Sequence, residues 1–261
     1  MAQDDKSRRA IQSIEVGGRL LLALADHPEP LALKDLAASA GLSASRAHPY
    51  LVSYGRLGLV EQEPAGGRYR LGPAALRIGL TCLHQLDPMR VAEPVIHDLA
   101  QSTGHAVALA VWGNFGPTVV RLLEARQPLH VALRLGSVMS IFDTATGRAF
   151  AAALPRERLA EAIAGPFGEV APRDTLGERD AELERIRAEV AQHGVARAVG
   201  RPIPGVNAFS AAVFDHEGDA VLVITALDHV DCLSSHWNGP TARAVRDAAR
   251  LISERLGHRG S

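Results

Sequence analysis

The spacing of apolar residues changes once along this 261-residue chain, and that change limits the folds it can adopt. Up to about residue 104 the apolar residues recur every three to four positions, which is typical of amphipathic helices. From His105 onward they alternate or form short continuous runs, which favours strands. The sequence therefore predicts a helical N-terminal part followed by a domain built on a β-sheet.

Residues 11–73 are predicted to form one compact N-terminal domain. Two helices come first, the second over residues 33–40, and Gly41 follows it as a residue that tolerates the positive φ of a helix end. A third helix runs to about Arg56, and two short strands around a Gly66-Gly67 turn predict a hairpin. Three helices and a hairpin predict a winged helix-turn-helix, with the helix-turn-helix motif at about 33–52.

The third helix is amphipathic, and either Ser43 or Ser45 can cap its start. The face predicted to point inward carries Ala47, Leu51 and Tyr54. The face predicted to point outward carries Ser45, Arg46, His48, Pro49 and Val52.

The remaining chain is predicted to form a linker helix over 74–87 and a second domain over 88–257. Its predicted strands are 106–112, 118–124, 129–133, 195–199, 207–214 and 220–227. A helix from Pro88 to about Thr103 opens this domain, and the later predicted helices are 145–153, 155–163, 177–193 and 239–256. Residues 175–178 match a capping box at the start of the helix at 177–193. Strands interleaved with helices and a closing hairpin predict an α+β fold.

Composition excludes several classes of protein. The formal net charge is −1, so binding to nucleic acid requires a local basic patch. The two cysteines, Cys82 and Cys232, rule out a disulfide scaffold and a four-cysteine metal site and indicate a reducing compartment. The N-terminus lacks the apolar run of a signal peptide, and no later stretch is long enough to span a bilayer. We expect a cytoplasmic protein without a membrane partner.

Sequence motifs of common enzymes are missing, so we expect no catalytic residues, no cofactor and no metal. One cluster before the last helix offers metal-compatible side chains at Asp228, His229, Asp231, Cys232 and His236. Its spacing matches no familiar zinc pattern, and a solvated loop is the simpler interpretation. A metal-dependent hydrolase remains an alternative that rests on this cluster alone.

Three stretches carry a resemblance to a known family. They are LAASAGLSAS at 36–45 with GLV at 58–60 and RYRLG at 68–72, then DTATGRA at 143–149, then GVNAFSAAVFD at 205–215. In this order and at these separations the chain resembles the IclR family of bacterial transcriptional regulators over nearly its full length. The resemblance implies a winged helix-turn-helix, a GAF-like effector-binding domain, a homodimer or dimer of dimers, and operator binding controlled by a small molecule.

The third helix departs from the family at Pro49, where members often carry a basic residue. A proline in a helix interior removes a backbone donor and clashes with the preceding turn. The helix is therefore expected to start late, with Pro49 in its first turn, or to kink there.

The predicted DNA contacts lie on the third helix and in the wing. They are Ser43, Ser45, Arg46, His48, Arg68 and Arg70. Arg46 is the strongest of them, because a guanidinium can pair with guanine or with phosphate. Residues 1–73 hold nine Lys and Arg against eight Asp and Glu, which is nearly neutral. This balance keeps open an alternative in which the winged helix mediates protein contacts.

The predicted effector site surrounds the start of the helix at 145–153, because helix N-termini favour a carboxylate. The predicted site residues are Val107, Leu109, Trp112, Thr144, Thr146, Gly147, Asn207, Phe209, Ser210 and Thr225. Gly147 is included because it would let a ligand approach the backbone. Candidate carboxylate partners are Arg121, Arg134 and Arg148. An apolar site beside a helix N-terminus predicts an organic or aromatic acid of catabolism as effector.

Overall fold

The computed structural model describes residues 11–127, 133–164 and 179–259. The chain divides into two compact units, Met1–Leu86 and Asp87–Ser261. The helices of the N-terminal unit are α1 (Gln12–Ala25), α2 (Leu33–Ser39), α3 (Ala44–Arg56) and α4 (Pro73–Gln85), and its strands are β1 (Val60–Gln62) and β2 (Tyr69–Leu71).

The C-terminal unit contains the longer strands of the chain. Its helices are α5 (Pro88–Thr103), α6 (Ala145–Ala153), α7 (Arg156–Ala164), α8 (Asp180–His193) and α9 (Pro240–Arg255). Its strands are β3 (Ala106–Gly113), β4 (Gly116–Leu123), β5 (Ala196–Val199), β6 (Val206–Phe214) and β7 (Ala220–His229). The predicted strand at 129–133 and the predicted capping box at 175–178 fall mainly or wholly outside the described residues.

The N-terminal unit is a winged helix-turn-helix, as predicted. One buried cluster joins its first three helices through Leu20, Leu36 and Leu51. The hairpin of β1 and β2 is antiparallel, and Tyr69 on β2 is buried in the same cluster. The three helices pack around this shared core, and each contributes the apolar stripe that faces it.

The turn between α2 and α3 forms as the sequence predicts. Gly41 has a φ of +68°, a left-handed conformation that glycine adopts without a steric penalty. Ser43 caps α3, and its side chain accepts a hydrogen bond from the Arg46 backbone N–H at 3.4 Å. Ala47 and Leu51 are buried while His48 is exposed, so α3 has the predicted inner and outer faces.

The expectation of a late start at Pro49 is wrong. The helix begins at Ala44 and continues through Pro49 to Arg56, which places the proline beyond the first turn. A proline there costs roughly 3 kcal/mol in a regular helix, since it removes a donor and crowds the carbonyl of Ser45. Pro49 is exposed, so packing in the core does not offset this cost. The Ser53 hydroxyl donates to the Pro49 carbonyl at 3.0 Å.

The helix α4 occupies the predicted linker position and has an apolar surface. None of its side chains is buried against the described residues. Four large apolar side chains are between 38% and 64% exposed, namely Leu76, Ile78, Leu80 and Leu83. Leu76, Leu80 and Leu83 recur at i, i+4 and i+7 and so form one exposed apolar stripe along α4.

The C-terminal unit is built on a five-stranded antiparallel sheet of order β4-β3-β7-β6-β5. The helices α5 and α9 pack against each other and against one face of the sheet. The helix α6 packs on the other face and contacts α8. The predicted α+β fold is thereby confirmed.

Two hydrogen bonds identify which side chains point to which face. His105, just before β3, bonds through Nε2 to Thr241 on α9 at 3.1 Å, so odd-numbered β3 side chains face α9. Thr225 on β7 bonds to Thr146 on α6 at 2.8 Å, and Ala108 lies directly opposite Thr225. Even-numbered β3 side chains therefore face α6.

Two adjacent glycines of α1 give a test of the helical packing. A Cβ at Gly17 would overlap the Tyr54 hydroxyl and lie 3.0 Å from Tyr50 Cδ1, whereas a Cβ at Gly18 would meet nothing within 4 Å. We expect Gly17→Ala to destabilise the N-terminal unit by about 1–3 kcal/mol through overpacking. Gly18→Ala should stabilise it by about 0.5–1 kcal/mol through the lower entropy of alanine.

Urea unfolding followed by far-ultraviolet circular dichroism would measure both changes. Trp112 and Trp237, the two tryptophans of the chain, lie in the C-terminal unit. Their fluorescence transition serves as the internal control and should stay at the wild-type urea concentration. Equal effects of the two substitutions would contradict the packing of α1 against α3.

Candidate DNA-binding surface and effector cavity

The predicted DNA-contacting residues of α3 lie on its exposed side. Ser45, Arg46 and His48 are all exposed. Ser43 is used as the helix cap, and its hydroxyl is also 3.2 Å from the Ser45 hydroxyl. No acidic residue occurs within α3, so its outer face is neutral or cationic along its length.

The two wing arginines differ in their environments. Arg70 donates to Glu61 Oε2 through Nη2 at 3.0 Å and through Nε at 3.3 Å, across the β1–β2 pair. Arg68 donates from Nη1 to the Pro30 carbonyl at 3.2 Å and has no acidic partner among the described residues. Arg68 therefore keeps an uncompensated charge, whereas the charge of Arg70 is balanced within the hairpin. Their contact with DNA stays a prediction.

A cavity of about 40 Å³ lies between the sheet and the start of α6. Most of its walls are apolar, supplied by β3, β4, β6 and β7 and by the connection from β5 to β6. The lining residues are Ala108, Val119, Leu133, Met139, Thr144, Ala145, Thr146, Ala198, Arg201, Pro202, Ile203, Val206, Ala208, Thr225 and Leu227. The predicted site residues Thr144, Thr146 and Thr225 are brought together here.

Three buried hydroxyls form a chain at the inner end of this cavity. The Thr225 hydroxyl is 2.8 Å from that of Thr146 and 2.7 Å from that of Ser210. Three hydroxyls carry three hydrogens, and two mutual bonds use two of them. Ser210 is fully buried and does not line the cavity, so it is best satisfied by donating to Thr225. The remaining hydrogen then belongs to Thr146 or Thr225, both of which line the cavity.

The start of α6 adds further donors. Thr144 caps the helix, accepting from the Gly147 N–H at 2.9 Å and donating to the Ser140 carbonyl at 2.7 Å. The N–H groups of a first helical turn have no intrahelical acceptor, and Ala145 and Thr146 both border the cavity. The partial positive charge of a helix N-terminus favours an anion at this position.

Arg201 is the one ionisable residue among the described residues that line the cavity. It lies in the connection between β5 and β6, is exposed, and forms no ion pair with another described residue. A guanidinium, a free hydroxyl hydrogen and backbone N–H groups are all donors. The cavity therefore suits a ligand that presents hydrogen-bond acceptors and negative charge.

Four predicted lining residues lie on the other face of the sheet. Val107 and Leu109 share the face of His105 that contacts α9, and they do not line the cavity. Asn207 donates to the Leu233 carbonyl at 2.8 Å, and the Phe209 ring packs 6.2 Å from that of Trp237. These four side chains therefore do not border this cavity, because neighbouring residues of a strand point to opposite faces of the sheet.

Two further predicted residues have structural roles. Trp112 lies on the α6 side of the sheet but packs edge-to-face on Phe150, with ring centroids 5.5 Å apart, and does not border the cavity. A Cβ at Gly147 would overlap the Ser140 carbonyl and approach the Ile141 backbone at 2.6 Å. Glycine at this position therefore allows α6 to pack against the preceding segment, which differs from the predicted approach by a ligand.

The three arginines predicted as carboxylate partners either form ion pairs with glutamates or lie away from the cavity. Arg121 pairs with Glu93 at 2.6 Å, and this hydrogen bond lowers the pKa of the Glu93 carboxyl. Arg148 pairs with Glu189 at 2.8 Å. Arg134 is exposed and does not line the cavity. Among the described arginines, Arg201 is the one that lines the cavity.

The cluster before α9 is divided between different contacts. Asp228 is buried, and its Oδ2 accepts from His105 Nδ1 at 2.8 Å. His229 pairs with Asp231 at 3.1 Å, and Cys232 is exposed. Within residues 11–127, 133–164 and 179–259, no group of three His, Cys, Asp or Glu side chains is arranged to hold a metal ion.

The same described segments contain nine helices of seven to sixteen residues. None of the helices in them combines the length and the apolar character needed to cross a bilayer.

Sequence reasoning missed Arg201 and the outward position of Arg56. Arg201 is the one charged residue in a Gly- and Pro-rich connection between two predicted strands, which is a usable but weak signal. Arg56 continues the outer face of α3 at helical spacing from Ser45, and the periodicity alone identifies it.

Two family models match the chain in sequence order. The model described as the IclR helix-turn-helix domain matches residues 13–64. The model described as the C-terminal domain of bacterial transcriptional regulator IclR matches residues 80–254. Together they cover both units of the structure.

Curated proteins and solved structures agree with these matches. The glycerol operon regulatory protein of Streptomyces coelicolor is 31% identical over 252 residues, covering 95% of this chain and 98% of that protein. The transcriptional regulator TtgV of Pseudomonas putida is 30% identical over 214 residues, covering 82% and 81%. The crystal structure of Pseudomonas aeruginosa HmgR has a TM-score of 0.87 at 33% identity, covering 96% of this chain and 100% of that one.

Proposed function

The chain belongs to the IclR family of bacterial transcriptional regulators, and we propose that it binds a palindromic operator as a homo-oligomer under the control of a small organic acid. It is a regulator with a helix-turn-helix domain, in a family of regulators rather than enzymes. The observation that carries the finer proposal is the donor-lined cavity whose one charged lining residue, within the described chain, is Arg201. Operator binding places this function in the cytoplasm.

The proposed DNA contact is insertion of α3 into the major groove. In a helix-turn-helix the second helix of the motif reads base edges, while phosphate contacts set its orientation. Support comes from the exposed Ser45, Arg46 and His48 and from the absence of acidic residues in α3. Arg68 in the wing is suited to a phosphate contact, since its charge has no acidic partner among the described residues.

Selection from random duplexes with the purified full-length chain would identify the operator, at a fixed salt concentration. We expect Arg46→Ala to weaken binding to the selected duplex by about 1–3 kcal/mol, the range for one base-contacting side chain. A fluorescence anisotropy titration would measure this change.

Arg19→Ala is the matched control, because Arg19 is exposed on α1 and its loss changes the charge equally. It should leave the affinity within about twofold of wild type, since a single remote charge contributes little at moderate salt. If the folded protein selects no preferred sequence from the random duplexes, with or without carboxylates, this result would instead favour a winged helix that contacts proteins.

The proposed effector is an organic or aromatic acid of catabolism that occupies the cavity. Support comes from the apolar walls, from donors at the start of α6 and the hydroxyl chain, and from Arg201. A ligand that binds one arrangement of the protomers better than another shifts the population and so changes operator affinity.

Isothermal calorimetry with benzoate, 4-hydroxybenzoate, pentanoate and 4-oxopentanoate would test this class, with the corresponding primary amides as neutral analogues. We expect acids to bind and amides to bind at least tenfold more weakly, since a charge-assisted hydrogen bond contributes about 1.5–3 kcal/mol. Arg201→Gln should remove this preference.

Arg134→Gln is the control for Arg201→Gln, because Arg134 is an exposed arginine that does not line the cavity. It should retain the wild-type preference for acids. Absence of heat with every acid, or equal binding of acids and amides, would contradict the proposed class. A preference for acids that persists in Arg201→Gln would contradict only the role of Arg201.

Self-association is proposed to use the apolar stripes of the N-terminal unit. On α4, Leu76, Leu80 and Leu83 recur at i, i+4 and i+7, so they share one helix face. At the start of the chain's described part, Ile11 and Ile14 are exposed together. Surfaces of this kind are buried in oligomers, and a second copy of the chain supplies a matching stripe by symmetry.

We expect Leu76→Glu/Leu80→Glu to dissociate the oligomer by at least tenfold in sedimentation equilibrium, because two buried charges at an apolar interface are strongly unfavourable. Leu57→Glu is the control, since Leu57 is 65% exposed in the same unit but lies outside α4. A double variant that sediments as the wild type does would exclude α4 from the interface.

A further inference from the structure

The outermost residues of α3 form a stripe with an unusual composition. Ser45, Pro49, Val52 and Arg56 recur at i, i+4, i+7 and i+11, so they lie within about 60° of one another around the helix axis. All four are exposed, and we call them the outer stripe. Its centre consists of two apolar side chains, Pro49 and Val52, on the face of α3 opposite Ala47 and Leu51.

The fold gives no reason for these apolar side chains. Val52 is 43% exposed and belongs to no buried cluster of the N-terminal unit. Pro49 is exposed and disfavours the helix that contains it. Neither residue belongs to the core of the N-terminal unit, and both are accessible to a partner.

The surroundings of the two apolar side chains indicate an anionic partner. Arg46 and His48 flank the outer stripe on either side, and Arg56 continues it toward the end of α3. Neither Arg46 nor Arg56 pairs with an acidic side chain in the described residues. An apolar centre within a cationic border fits a surface that combines negative charge with small apolar groups.

The major groove of DNA is such a surface. Phosphates border it, and thymine is the one base that presents a methyl group there. We propose that Pro49 and Val52 contact thymine C5-methyl groups and so select thymine at one or two positions of each half-site. This proposal rests on the proposed insertion of α3 into the major groove. It makes Pro49 a residue that determines sequence specificity.

Replacement of thymine by deoxyuridine tests the contact, because it removes the methyl group and keeps every hydrogen-bonding group. Starting from the selected operator, each thymine is replaced in turn and the affinity of the full-length protein is measured by anisotropy. We expect a loss of roughly fourfold for each contacted methyl, the value for one buried carbon. Other thymines should show less than twofold change.

Two variants connect this loss to particular side chains. Pro49→Ala and Val52→Ala should each make binding insensitive to uridine at one position while retaining the sensitivity at positions contacted by the other side chain. Pro49→Ala keeps the helix, since alanine has the highest helix propensity, so its effect is not explained by unfolding. Leu57→Ala, at an exposed leucine off the outer stripe, should keep the full wild-type uridine pattern.

The outcomes separate this inference from the function on which it rests. A selected operator whose thymines can all be replaced by uridine without loss would overturn the methyl contact and leave DNA binding intact. Uridine sensitivity that persists in both Pro49→Ala and Val52→Ala would also overturn it. Failure of the folded protein to enrich any operator, both with and without carboxylates, would refute the proposed DNA binding itself.

Discussion

The hydrogen bond between Thr146 and Thr225 fixes the arrangement on which the effector cavity depends. It holds the first turn of α6 against β7, and the close approach of Gly147 to the Ser140 carbonyl leaves little freedom for that helix to shift. With α6 in this position, only the side chains that share the face of Thr225 can border the cavity. The same contact leaves one hydroxyl hydrogen without a partner within the chain of three hydroxyls, on the side that borders the cavity.

In the N-terminal unit, α3 likewise has one side that packs in the core and one side that is exposed. Ala47 and Leu51 pack α3 against the core shared with α1 and α2. The opposite side of α3 does not take part in this core. Pro49 lies on that opposite side. The unit tolerates a helix-disfavouring residue there because the cap at Ser43 and the buried inner face hold α3 on both sides of it.

Much of the fold follows from local patterns in the chain. Helical periodicity identified the inner face of α3, and Gly41 with Ser43 marked the turn and the cap before it. Strand periodicity located β3, β6 and β7 within one or two residues of their ends. The site was less predictable. Thr144, Thr146 and Thr225 line one cavity, whereas Val107, Leu109, Asn207 and Phe209 lie on the other face of the sheet. Contact of these residues with an effector stays a prediction.

The sequence by itself determined the two-part organisation, the winged helix-turn-helix and the family, because these depend on periodicity, turn residues and short motifs that are local in the chain. The tertiary structure decided which face of the sheet contacts α6, and hence that Ala108 rather than Val107 borders the cavity. It also placed Arg201 in the lining of the cavity, whereas Arg121 and Arg148 are paired with glutamates distant in sequence. The physical reason is that both faces of this sheet are covered by helices, so alternation in β3 and β6 is apolar on both sides and cannot distinguish them.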